Sequence, residues 1–154
     1  MKKLFALLLT IALSATLVGC STEDVVETKT CTKEAEGISQ TYKLTATNGE
    51  IDKVELVMVY DNSIFGLDTL STLTDDQKEL IKTNMLTTLG LESNTYEGFE
   101  INVDIQDQMT VTVSADIEKA DPEVLKKVGL DFDGVDMDLD NAVDGMTSDG
   151  AVCK

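Results

Sequence analysis

The stretch Phe99–Ile117, FEINVDIQDQMTVTVSADI, decides the fold of this chain. Phe99, Ile101, Val103 and Ile105 alternate with Glu100, Asn102 and Asp104. Met109, Val111, Val113, Ala115 and Ile117 alternate with Thr110, Thr112, Ser114 and Asp116. Successive side chains of a strand point to opposite faces, so a period of two buries one face and wets the other. A loop of Gln106-Asp107-Gln108 sets Ile105 opposite Met109, Val103 opposite Val111 and Ile101 opposite Val113. That is an antiparallel hairpin with one apolar face, and the apolar face needs a cover.

A second hairpin precedes it. Ile38 to Ala46 alternates as a half-buried strand, Asn48-Gly49 is a hairpin turn signal, and Ile51 to Tyr60 returns with Val54, Leu56, Met58 and Tyr60 in alternation. A plain two-residue loop would set Lys53 opposite Leu44. Slipping by one pairs Leu44 with Val54 and Tyr42 with Leu56. A slip of one residue exchanges the faces, so burial selects the second register and requires a three-residue or bulged connection.

Helices supply the cover. Thr74-Asp75-Asp76-Gln77 is a capping box, followed by Ile81, Met85 and Leu89 at i, i+4 spacing and by Gly90 as a stop. Asp121-Pro122-Glu123 opens a short helix that Lys126, Lys127 and Gly129 close, and a third is expected from about Asp138 to Ser148. The expected fold is α+β: two antiparallel β-hairpins in a small sheet with one face covered by helices, in the order β-β-α-β-β-α-α.

The N-terminus carries an address. Lys2 and Lys3 precede an uncharged, mostly apolar run, Leu4 to Leu17, which reads as a secretory signal too short to span a bilayer. It runs directly into Leu17-Val18-Gly19-Cys20, which resembles the bacterial lipobox. That resemblance implies cleavage after residue 19 and diacylglyceryl attachment at Cys20, an anchor of two or more acyl chains. Ser21 to Thr30, STEDVVETKT, is polar and acidic and reads as a tether. The expected organisation is residues 1–19 as signal peptide, 20–30 as lipidated cysteine and tether, and 31–154 as a single domain. The expected location is the extracytoplasmic face of the cell membrane, with the outer membrane also open in a two-membrane host.

Charge and composition exclude several functions. The chain has 12 Lys, no Arg, no His and 29 acidic residues, for a net charge of −17; loss of Lys2 and Lys3 makes the mature balance 10 − 29 = −19. Nucleic acid needs clustered cations, so it is not an expected partner. Without His, Ser-His and Cys-His nucleophiles are excluded, and the commonest general base and zinc ligand are missing. No catalytic residue, cofactor or enzyme activity is expected. If Cys20 is lipidated, Cys31 and Cys153 remain as an even pair in an exported protein. A disulfide between them is the expectation and two reduced thiols the alternative.

The ordered segments CTKEAEG, ATNGEIDKV, YEGFEINVDI, VSADIEKADPEVLKKVGL and SDGAVCK, together with Cys20, resemble the YehR-like small bacterial lipoproteins. The resemblance covers most of the mature chain. It implies a lipid-anchored α+β domain with no assigned activity and a bridge between the positions of Cys31 and Cys153. The run after Gly129, GLDFDGVDMDLDN, departs from the family in being rich in aspartate. Aligned with a calcium loop through Gly134, Asp131 and Asp133 fall at ligand positions 3 and 5 and Asp140 at 12. Gly129 at position 1, Asp136 at position 8 and an Asp in place of the longer Glu at 12 are misfits. A solvated acidic loop is therefore the preferred reading of segment 131–140.

The expected function is a non-catalytic binding or envelope-interaction module held at the membrane, read as a monomer, whose partner is an envelope protein or a small ligand. The alternative is a small-ligand or calcium-binding module, which requires a concave apolar pocket with a few polar groups or convergence of the aspartates.

Overall fold

Alternation along the chain becomes a single antiparallel sheet in the computed structural model, which describes residues 23–154. The described residues form, in order, β1 (Val26–Ala35), β2 (Ile38–Thr47), β3 (Glu50–Tyr60), a 3-10 turn (Asn62–Phe65), α1 (Asp75–Thr88), β4 (Thr95–Tyr96), β5 (Phe99–Ile105), β6 (Met109–Asp116), α2 (Pro122–Lys127), α3 (Leu139–Ser148) and β7 (Val152–Cys153). The spatial order is β4-β5-β6-β3-β2-β1-β7. The two expected hairpins join through β3 and β6, with Leu56 opposite Val113 and Met58 opposite Val111.

Both hairpins take the register that burial selects. Ile105 faces Met109, Val103 faces Val111 and Ile101 faces Val113. In the earlier hairpin Leu44 faces Val54 and Tyr42 faces Leu56. Asn48 (φ 55°) and Gly49 (φ 88°) make a two-residue turn, and the extra residue is Asp52, bulged between the Ala46–Ile51 and Thr45–Lys53 pairs. The bulge is held on both sides: Thr47 Oγ1 donates to the Asp52 carboxylate, and Ile117 N donates to the Asp52 carbonyl at 2.8 Å.

Two expectations are corrected. The order β-β-α-β-β-α-α lacks β1, β4 and β7, and the tether assigned to 20–30 becomes strand from Val26 onward. β1 pairs with β2 over its full length, from Val26–Thr47 to Ala35–Ile38, around a Glu36-Gly37 turn. Its sequence, VETKTCTKEA, buries only Cys31. A strand near the sheet edge with so little apolar surface carries no alternation to announce it.

The core lies on one face of the sheet. Leu44, Val54, Leu56, Phe99, Ile101, Met109, Val111 and Val113 are buried there, under the helices. The opposite face presents Thr41, Lys43, Thr110, Thr112 and Ser114 and is partly to fully exposed. Gly98 allows β4 to turn tightly into β5: it is left-handed (φ 67°), and a Cβ there would lie 2.6 Å from Ala120 N.

Candidate functional site: an apolar cleft beneath α1

Helix α1 is well started but lightly seated. The capping box forms in full, with Gln77 N donating to Thr74 Oγ1 and Thr74 N to Gln77 Oε1. At the other end Lys127 Nζ donates to the Gly90 carbonyl at 2.9 Å. Between these points no residue of α1 is fully buried; Ile81, Met85, Leu86 and Leu89 only partly reach the core. A helix that buries no residue fully leaves space between itself and the sheet.

That space is a cleft of about 290 Å³. Its floor is Met58, Tyr60, Ile101, Val111 and Val113 of the sheet, and its walls are Met85 and Thr88 of α1, the capping Leu89, and Val128 after α2. No charged side chain lines it. Its polar groups are the Tyr60 hydroxyl, directed to Met58 Sδ at 3.7 Å, and Thr88, whose Oγ1 already donates to a backbone carbonyl, that of Asn84. Burial raises the Tyr60 pKa above its ordinary value of 10.0, so the phenol is neutral at physiological pH. Methionines on floor and wall give a lining that adapts to the shape of an occupant. For scale, an apolar cavity of about 150 Å³ takes benzene.

A wider groove of about 430 Å³ lies on the polar face between Lys43, Lys53, Glu55, Glu100 and Asp116. Its charges are mixed, and Asp116 is already paired with Lys119 at 2.6 Å, which lowers its pKa. The groove selects neither sign of ligand.

The sequence-derived site residues separate. Cys20 lies outside the described residues. Cys31 and Cys153, 122 positions apart in sequence, are joined by a disulfide across the β1–β7 pair. Cys31 lies within β1 and is fully buried, rather than standing before the first strand. The calcium reading is not supported: the acids of segment 131–140 are spent on local structure. Asp131 accepts from Asp133 N, Asp133 pairs with Lys126, and Asp138 caps α3 by accepting from Asn141 N. Asp136 accepts from Asp138 N and from Asn141 Nδ2, which lowers its pKa, and Asp140 sits in the first turn of α3, stabilised there by the helix dipole. Among the described residues no group of three or more His, Cys, Asp or Glu converges to hold a metal ion, and no helix is long and apolar enough to cross a membrane.

The cleft is the part that sequence reasoning missed. Met58, Val111 and Met85 were legible as core positions, and periodicity treats a filled interface and a cleft alike.

One antiparallel sheet, helices on one face, an apolar cleft beneath α1 and a disulfide closing the sheet edge define a small α+β domain. Two solved structures share this fold. The NMR structure of a protein from Streptococcus pneumoniae TIGR4 is similar at 15% identity and a TM-score of 0.57, covering 100% of this chain and 99% of that one. The NMR structure of the E. coli YehR protein is similar at 16% identity and a TM-score of 0.53, covering 70% of this chain and 72% of that one. No family model and no curated protein matches the sequence. The chain therefore has the YehR fold, as its sequence segments led us to expect.

Proposed function

We propose that this chain is a non-catalytic, membrane-anchored extracytoplasmic lipoprotein whose cleft beneath α1 binds a small apolar ligand. The anchor is Cys20, in its lipobox-like setting. The carrying observation for the ligand is the lining: hydrocarbon and thioether side chains, no charge, a Thr88 hydroxyl already spent on a backbone carbonyl, and one neutral phenol. A charged headgroup inside would be desolvated without a partner, at a cost that hydrocarbon contacts do not offset. The ligand is thus an uncharged compound with an alkyl or aryl body and at most one hydrogen-bonding group, set to meet the Tyr60 hydroxyl.

The test uses the soluble form, residues 21–154, titrated with an environment-sensitive apolar dye and competed with 1-decanol. Saturable dye binding displaced by decanol is expected. Thr88→Trp, at an exposed position on the rim, fills the mouth and abolishes binding with the fold intact by circular dichroism, whereas Asp76→Trp at the other end of α1 leaves binding unchanged. Equal, non-saturating dye uptake by all three proteins rejects the site.

A further inference from the structure

The stretch that follows Cys20 is much shorter as a leash than it is as sequence. Asn48, in the β2–β3 turn, clasps the chain before β1. Its backbone N donates to the Val25 carbonyl at 2.7 Å, its Oδ1 accepts from Val25 N at 3.0 Å, and its Nδ2 donates to the Asp24 carboxylate at 2.9 Å. These bonds hold the chain at Asp24 and Val25. Four Cα–Cα steps separate Asp24 from Cys20, and they reach at most about 14 Å.

The end of the domain nearest Cys20 is therefore the β2–β3 turn. With it lie Glu50 and the start of α3, which are tied together by the Glu50–Asp138 bridge and by Leu139 N donating to the Gly49 carbonyl at 2.9 Å. From Glu50 strand β3 runs ten residues to Tyr60, a span of roughly 33 Å. Met58 and Tyr60 of the cleft floor lie at that far end, as does the 3-10 turn, where Ile64, Phe65 and the following Leu67 are exposed and Phe65 packs on Tyr60 with ring centroids 6.4 Å apart.

We propose that the domain is held with its β2–β3 turn toward the membrane that holds Cys20, and with its 3-10 turn and the Tyr60 end of its cleft away from that membrane. This rests on the reading of Cys20 as a lipid anchor. The leash is too short for the domain to turn over, so the β2–β3 end stays the one nearer the bilayer. The Tyr60 end of the cleft then faces the aqueous side, so its ligand arrives from that side and not by lateral entry from the anchoring bilayer.

The lipidated protein, matured in its own host and reconstituted into phosphatidylethanolamine–phosphatidylglycerol vesicles, tests this. With Cys20 acylated and Cys31 bonded to Cys153, a fluorophore goes onto a single added thiol from Glu50→Cys or Leu67→Cys, and a nitroxide quencher is placed on the headgroups. The expected result is strong quenching at position 50 and loss of quenching at position 67. A twenty-residue Gly-Ser insert after Ser21, with a root-mean-square reach of about 25 Å, erases the contrast. Equal quenching at both positions with the natural leash, or stronger quenching at 67, overturns the stance while leaving the anchor intact. Protein that stays off the vesicles, with an unmodified Cys20 by mass spectrometry, overturns the anchor itself and the stance with it.

Discussion

Removing the Cys31–Cys153 bridge by the double substitution Cys31→Ala/Cys153→Ala should unfold much of the margin that keeps this domain folded. The bridge closes a loop of 122 residues, almost the whole domain. Cross-linking removes entropy from the unfolded chain roughly as 2.1 + 1.5R ln n cal/mol/K, which for this separation is about 16 cal/mol/K, or about 5 kcal/mol at 25 °C. Domains of this size have a total stability of roughly 5–15 kcal/mol. An unfolding entropy of about 2.1 cal/mol/K per residue over the folded part converts that loss into a fall in Tm of roughly 15–20 °C. The assay is urea unfolding of residues 21–154, followed by far-ultraviolet circular dichroism, for the oxidised protein and the double variant. The m-value should rise as well, because an unbridged unfolded chain exposes more surface. A loss below about 1 kcal/mol with an unchanged m-value would refute the reasoning, since the bridge would then not be limiting the unfolded ensemble.

Three further outcomes follow from the geometry. Gly98→Ala should cost about 2–4 kcal/mol in urea unfolding, because a left-handed Cβ meets the Ala120 backbone at 2.6 Å; a cost under about 1 kcal/mol would contradict that packing. Thr74→Ala removes half of the capping box and about 1 kcal/mol of helix stability. Its effect should appear as faster amide exchange confined to residues 75–88, because α1 buries no residue fully; uniform acceleration across β5 and β6 would show instead that α1 is coupled to the core. Burial raises the Tyr60 pKa, so its contribution to stability and to cleft binding is complete below the unfolded value of 10.0 and is lost as pH rises through the higher folded value. Tyr60→Phe should flatten the alkaline decline, and an identical decline in both proteins would place the titration elsewhere.

Legibility tracked the amount of surface that each segment buries. In β5 and β6 every second residue is buried, and in sequence they read correctly down to the register. The bulge was legible too, since Leu44 and Val54 could share the buried face only if one residue were extra; the structure assigns that extra residue to Asp52. β1 and β7 were not, because backbone pairing and a disulfide hold them, and periodicity registers neither. Cys31 and Cys153 were the sole trace of that edge: they face each other as strand partners 122 residues apart. The aspartate run shows the converse. Five acids in ten residues drew attention to chemistry, yet Asp131, Asp136 and Asp138 accept backbone amides in a loop and a helix cap. Apolar spacing placed Ile81, Met85 and Leu89 toward the sheet, while the cleft depends on how far α1 stands off it. The capping box at Thr74 is internal to α1, and the Lys127–Gly90 contact ties its other end to α2 rather than to the sheet.

The methyl groups of the cleft offer the most direct test of the binding claim. Met58 and Met85 line the cleft from opposite sides, whereas Met146 sits on α3 outside its lining. In a methyl-selective NMR titration of residues 21–154 with 1-decanol, the signals of Met58 and Met85 should shift together and saturate on a single isotherm, with Met146 unmoved. Shifts that never saturate, or that fall first on the exposed Ile64 and Leu80 with Met58 and Met85 still, would contradict a ligand site beneath α1.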